Sequence, residues 1–207
     1  MKALVDKLVQ EGALKTQRII EAFLANDRKF FVPQEFMDEA YADAPLPIGE
    51  GQTISQPYTV AFMLELLEPQ EGQKILDIGF GSGWTTAILA HIAGRKGKVF
   101  GVEVVPEIYE FGQKNLAKFD YKNIKLYNRS GWEGLPSEAP FDRILVSAAA
   151  VEKVPQALKD ELKLGGRMVI PVGPTFNCSV ELLEKVSEDE VKLVADYSGF
   201  DFVPFVR

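Results

Sequence analysis

Two hydrophobic periods divide the chain. Near the start, Leu4, Leu8, Ile19, Ile20, Phe23 and Leu24 recur at three- and four-residue steps, which predicts helix across residues 1–25. Gly12 splits that stretch into two short helices. "NDRKFFVP" ends the helical pattern at Pro33. Pro45 and Pro47 then bracket an extended, turn-rich segment ahead of a helix from about Pro57 to Leu67. From Lys74 the pattern changes. "KILDIG" (74–79), "KVFGVE" (98–103), "IKLYN" (124–128), "RILVSA" (143–148) and "RMVIPVG" (167–173) read as buried strands. Helical stretches at about 84–94, 106–118 and 155–164 lie between them. Such alternation predicts a parallel sheet with helices on both faces. After Gly173, "SVELLEKV" (179–186) and "VKLVADYSGF" (191–200) flank the turn "SEDE" and predict an antiparallel hairpin that closes the sheet on one side. No repeat, linker or low-complexity segment intervenes, so the expectation is one α/β domain.

Composition narrows the chemistry. The 207 residues are 46% hydrophobic and 26% charged, ordinary for a globular domain with a sizeable core. The net charge of −7 disfavours broad contact with nucleic acid phosphates, which needs clustered Lys and Arg. The opening "MKALVDKLVQEGALK" has charges every few residues and no apolar run of a secretory signal, and nothing approaches the roughly 18 apolar residues of a membrane span. A single cysteine, Cys178, allows no intrachain disulfide and fits a reducing, cytoplasmic setting. With one histidine, His91, besides, no metal site and no His- or Cys-based catalysis is expected. Monomer is the expected working unit, with no nucleic acid or membrane partner.

"ILDIGFGSGW" carries the strongest local signal. Gly79, Gly81 and Gly83 fall between a strand and a helix, where glycine lets the backbone approach a ligand closely. The spacing is G-x-G-x-G after Asp77; the dinucleotide fingerprint would need glycine at position 84, which is Trp84. Glu103 ends the next strand, where a carboxylate can accept both hydroxyls of a ribose. The loop with its acid resembles the first motif of class I S-adenosylmethionine-dependent methyltransferases.

"AYADAPLPIGEGQTISQPYTVAFMLELL" (40–67) resembles the N-terminal signature of the protein-L-isoaspartate O-methyltransferases. "DRKFFVP" (27–33), "APFDRILVSAAA" (139–150), "LKLGGRMVIPVG" (162–173) and "FVPF" (202–205) resemble further motifs of that family, in order along most of the chain. The resemblance implies a Rossmann-like class I methyltransferase fold: a seven-stranded, mostly parallel sheet with a terminal antiparallel hairpin and an N-terminal helical cap. Residues 1–56 would form the cap and an active-site lid, and 57–207 the cofactor-binding core. It implies methyl transfer from S-adenosyl-L-methionine to the free α-carboxylate of L-isoaspartyl residues in damaged proteins and peptides, a repair activity. Asp77, Gly79, Phe80, Gly81, Ser82, Gly83, Glu103, Ser130 and Gly131 would bind the cofactor. Thr53, Ile54, Ser55, Ala148, Ala149, Val203 and Pro204 would bind the substrate, with Ser55 facing both acceptor and donor as the catalytic residue.

Other readings stay open from the residues themselves. Thr53 and Ser55 precede a helix with Pro57 in its first turn, so they also read as helix caps. The "SAAA" alanines suit tight strand–helix packing, and Val203 and Pro204 suit an edge strand. Trp132 reads as a core aromatic or as a flank of the adenine. Several positions depart from the family pattern, among them Cys178 and Ser179 in "NCSVELLEKV", around which the family often has glutamine. Asp77 stands for glutamate, Phe80 adds bulk where threonine is usual, and "NRSG" replaces a G-D-G whose aspartate addresses the adenine amino group. Ser130 thus lacks a charged acceptor worth about 1.5–3 kcal/mol, with Glu133 close by as a substitute. A relative that methylates a carboxylate on a dedicated peptide partner, or a non-catalytic binding module, would show the same motifs.

Overall fold

The N-terminal periodicity folds as expected. In the computed structural model, which describes residues 1–206, α1 (Lys2–Gln10) and α2 (Gln17–Ala25) turn their buried stripes, including Leu4, Leu8, Ile19 and Phe23, onto the rest of the chain. Two 3₁₀ turns, Arg28–Phe31 and Gln34–Glu39, carry the chain past Pro33. The turn-rich segment that follows is a small antiparallel hairpin, β1 (Leu46–Gly49) and β2 (Gln52–Ile54). Pro47 is tolerated because this two-stranded ribbon has only edges. Gly49, Glu50 and Gly51 all take positive φ at its tip, which accounts for the paired glycines of "IGEGQ".

Helix α3 (Pro57–Leu67) leads into the main sheet. Its order of elements is β3 (Lys74–Ile78), α4 (Trp84–Ala93), β4 (Lys98–Glu103), α5 (Pro106–Leu116), β5 (Ile124–Asn128), β6 (Phe141–Val146), α6 (Gln156–Asp160), β7 (Leu162–Val172), β8 (Cys178–Ser187) and β9 (Glu190–Phe200). Across the sheet the strands run β5-β4-β3-β6-β7-β8-β9. The first five are mutually parallel, β8 is antiparallel to both neighbours, and the closing hairpin is therefore β8–β9. The expected third long helix, 155–164, is only the five residues of α6. The chain enters β7 early, and Leu162 already pairs with Phe141.

Both faces of the central strands are buried. Ile75, Val99, Leu145 and Val169 join the larger apolar cluster with α1–α4, while Leu76, Phe100, Ile144 and Met168 face Leu135, Val154 and Leu158. The order reverses between β3 and β6: from β3 the chain runs outward to β4 and β5, then returns to β6 on the other side. Ligands of open α/β sheets sit beyond the strand ends at such a reversal.

Candidate active site

A cleft of about 960 Å³, counting space open to solvent, lies at that reversal. Its floor is the turn from β3 to α4 together with Ile78 and Val102. Gly79 N–H donates to the Val102 carbonyl at 2.8 Å, tying the turn to β4. Gly83, at the N-cap of α4 with φ of 87°, lies off the cleft wall. A Cβ there would sit 2.8 Å from Leu116, so this glycine serves the packing of α4 on α5. Phe80 does not crowd the cleft as its bulk suggested. Its ring is almost fully buried against Tyr109, in a slot that exists because positions 101 and 112 are glycine. A Cβ on Gly112 would come within 2.6 Å of the ring, and one on Gly101 within 3.0 Å.

Glu103 enters the cleft at the end of β4 with its carboxylate already oriented. Oε1 accepts from the N–H groups of Val104 (2.8 Å) and Val105 (3.1 Å), and Oε2 from Gly81 N–H (3.1 Å). Asp77 lies behind the wall, fully buried. Its Oδ2 accepts from the Thr85 and Thr86 hydroxyls at 2.9 and 2.6 Å, while Oδ1 has no partner. Burial pushes its carboxyl up to about 6 against the two threonine bonds, and the nearby Glu103 charge pushes the same way.

One side wall is the lid. Gln52, Thr53, Ile54 and Ser55 line the cleft from β2 and the residue after it. Neither Thr53 nor Ser55 caps α3. The N-cap is Gln56 without a side-chain bond, and the Asp43 carboxylate accepts from Tyr58 N–H at 2.9 Å from across the loop. The lid hangs on Arg28, whose guanidinium donates to the carbonyls of Ala40, Ala42, Ala44 and Ser55 at 2.9–3.1 Å. It also lies 5.5 Å over the Trp84 ring. Burial lowers the Arg28 pKa to about 10, partly offset by Asp43, so it stays protonated. Trp84 in turn donates to the Asn26 carbonyl at 2.9 Å and meets Phe23 edge-on, joining cap, lid and floor.

The opposite wall is a C-terminal strap, Val203–Val206. It runs beside Ala149, which donates to the Val203 carbonyl (2.8 Å) and accepts from Phe205 N–H (2.9 Å). Ala149 is thus the strap's anchor, behind the wall, while Ser147 and Ala148 form the wall itself. Ser130 faces the strap as well: its hydroxyl donates to the Val206 carbonyl and accepts from Trp132 N–H, both at 3.2 Å, and it lines no part of the cleft. Trp132 packs edge-on against Phe205 at 5.3 Å and is also off the wall. Glu133, 83% exposed, stands 3.7 Å from Arg129.

Of the residues expected to bind cofactor or substrate, the structure brings Thr53, Ile54, Ser55, Gly79, Phe80, Gly81, Ser82, Glu103, Gly131, Ala148, Val203 and Pro204 to one cleft. Asp77, Gly83, Ser130 and Ala149 support it from behind. Sequence reasoning passed over Thr85 as a wall residue, and did not single out Ser147 or Phe205 within the "SAAA" and "FVPF" segments. Ser147 was findable, since it opens the "SAAA" run at a strand end. Arg129, with Trp132 and Glu133, is a candidate from the sequence to stand in for the G-D-G aspartate, and of the three it is the one on the wall. Neither His91 nor Cys178 reaches the cleft, and no metal-binding cluster occurs among the described residues.

A second, wider groove of about 1910 Å³ opens on the same wall. It is lined by Tyr58, Phe176, Phe200, Asp201 and Phe202 among others, and shares Thr53, Ser55, Ser147, Val203 and Pro204 with the cleft. The two spaces meet at Ser55.

Comparison with known proteins agrees with this geometry. The protein-L-isoaspartate O-methyltransferase of Methanopyrus kandleri is 44% identical over 204 residues, covering 98% of this chain and 89% of that one. A solved protein-L-isoaspartate O-methyltransferase superposes with a TM-score of 0.88 at 27% identity, over 98% of this chain and 65% of its own. A Plasmodium falciparum chain assigned to the same enzyme class, solved with S-adenosyl-L-homocysteine, shares the fold with a TM-score of 0.84 at 24% identity, over 99% and 97% of the two chains. The sheet order and these superpositions make the fold Rossmann-like, of the class I methyltransferase kind. The family profile matches residues 1–207, and the chain belongs to the protein-L-isoaspartate(D-aspartate) O-methyltransferase family.

Proposed function

We propose that this chain transfers a methyl group from S-adenosyl-L-methionine to the free α-carboxylate of L-isoaspartyl residues in proteins and peptides. The observation that carries the reading is the junction at Ser55: the cleft floored by the glycine turn and Glu103 and an open groove lined by Tyr58, Phe176, Phe200 and Phe202 share one short wall. The cleft's own geometry fits the methyl donor. Glu103, held by three backbone N–H groups, presents a carboxylate to ribose hydroxyls, and the positive-φ turn at Gly79 and Gly81 leaves room for the amino acid end. When bound, S-adenosylmethionine supplies a methyl activated by a cationic sulfur.

The protein then has little to do but position. An α-carboxylate, with a pKa of about 3.5, is ionised at neutral pH and needs no base. The absence of His and Cys from the wall suits that demand. The Ser55 hydroxyl and the backbone around Thr53 would orient the acceptor oxygen, while the lid and strap exclude water. We read residues 1–56 as cap and lid and 57–207 as the cofactor core, acting as a cytoplasmic monomer. The lone, buried Cys178 suits a reducing compartment, and no helix among the described residues is long and apolar enough to cross a membrane.

The test is methyl transfer to paired peptides that differ only in an isoaspartyl or an aspartyl link. Turnover on the isoaspartyl member alone is expected. Transfer to neither, with normal cofactor binding, would favour a non-catalytic module. Transfer to one unrelated peptide only would favour a dedicated modification enzyme.

A further inference from the structure

Among the described residues, Glu103 and Arg129 are the charged side chains that line the cleft. Glu103 has a task at the ribose; Arg129 has none so far. Its placement is specific. Asn128 stands opposite Glu103 in the β4–β5 ladder, and Arg129 N–H donates to the Glu103 carbonyl at 3.0 Å. Arg129 is thus one step farther along the rim than the ribose-binding acid, level with Val104 and Val105. A base attached to that ribose must extend there. The guanidinium is steadied from both ends: Nε donates to the Ser130 carbonyl at 3.3 Å, and a terminal nitrogen lies 3.7 Å from Glu133. A fork with five N–H groups and two open faces has more to offer than those two contacts use.

The neighbouring polar side chains are committed elsewhere. Asn128 donates to the carbonyls of Glu103 and Val104. Ser130 is bonded to the strap and to Trp132 N–H, and Glu133 points to solvent. Of residues 128–133, only Arg129 and Gly131 reach the cleft.

We propose that Arg129 recognises the nucleobase of the methyl donor by laying its guanidinium plane on the face of the purine. The inference rests on the cleft being the S-adenosylmethionine site. It has a consequence for specificity. An aspartate in this segment would accept from the 6-amino group and reject a base that lacks it. A stacked guanidinium reads only the π face, which a 6-oxo purine keeps.

Calorimetry on the full chain tests this with S-adenosylhomocysteine and its 6-oxo counterpart, S-inosylhomocysteine. The parent should bind the two within about threefold of each other. Arg129→Ala should weaken both by about tenfold or more, and Arg129→Lys, which keeps the charge but not the plane, should recover only part of that. Equal melting temperatures for parent and variants would place the loss at the ligand. Parent binding that Arg129→Ala leaves unchanged overturns this inference alone, as does a parent that rejects the 6-oxo ligand by more than about tenfold. A parent that binds neither ligand overturns the cofactor reading with it.

Discussion

The cleft's two side walls are held in opposite ways. The lid wall is fixed from inside. Arg28 is completely buried and gathers four carbonyls, three from the loop before β1 and one from Ser55. The strap wall is held more lightly, by two backbone bonds to the buried Ala149, one hydroxyl bond from a half-buried Ser130 and a ring contact between Trp132 and Phe205. A buried charge with several carbonyl partners has no low-energy alternative, because letting go leaves both it and the carbonyls unpaired in the interior. The Ser130 bond to the exposed Val206, at the far end of the strap, exchanges with water for little net free energy. On the proposed reading, the wall formed by residues 52–55 is therefore the rigid reference against which the acceptor would be aligned. The strap is the wall that can yield to admit a peptide.

The largest effect should come from the lid's anchor. Arg28→Ala strands up to four carbonyls and empties the space over Trp84, a loss on the order of 3 kcal/mol or more. In a chain of this size that corresponds to a fall in melting temperature of about 10 °C, read by calorimetric scanning. Arg28→Met, which keeps the apolar stem but not the donors, should recover only a minor part. A fall of less than about 2 °C for Arg28→Ala would mean that the lid does not depend on its buried guanidinium, and the contrast between the walls would collapse.

That anchor was also the least legible feature in the sequence. "DRKFF" could be recognised as a motif, but Arg28 looks like any charge beside Lys29, since backbone carbonyls leave no mark on the residues that present them. The sheet was legible because five apolar runs alternate with helical stretches, and Glu103 because a carboxylate at a strand end has few other uses. The β1–β2 hairpin was hidden by Pro45 and Pro47, which argue against strand anywhere but at an edge. The Phe80 slot was hidden because Gly101 and Gly112, which make it, lie on β4 and α5, far from the loop they accommodate. Ser130 sits where the family motif predicts an adenine contact; only the fold shows that its hydroxyl serves the strap instead.

An intermediate effect is expected at the junction of cleft and groove. Ser55→Ala removes a hydroxyl from the rigid wall without disturbing its carbonyl, which Arg28 still holds. If that hydroxyl orients a charged acceptor, kcat/KM for an isoaspartyl peptide should fall by about ten- to a hundredfold, equivalent to about 1.5–3 kcal/mol. Affinity for S-adenosylhomocysteine should stay within about twofold of the parent. An equal loss of both would assign Ser55 to the donor side and blur the division between the two spaces.

The smallest effect, and the sharpest test of the comparison, belongs to Ser130. Ser130→Ala deletes the bond to the Val206 carbonyl and should cost the strap about 0.5–1.5 kcal/mol. Because the strap is the yielding wall, the loss should appear as a several-fold rise in peptide KM, with the melting temperature almost unchanged and kcat close to normal. Ser130→Asp separates this role from a cofactor contact. A carboxylate at that place can still accept from Trp132 N–H, but it cannot donate to Val206, and it sets a negative charge against that carbonyl. If Ser130 is a strap latch, Asp should therefore raise peptide KM at least as much as Ala and leave cofactor affinity no better than in the parent. If Asp instead tightens S-adenosylmethionine, its side chain reaches the adenine after all. Position 130 would then belong to the cleft, and the strap would be held by Ala149 and the Trp132–Phe205 contact.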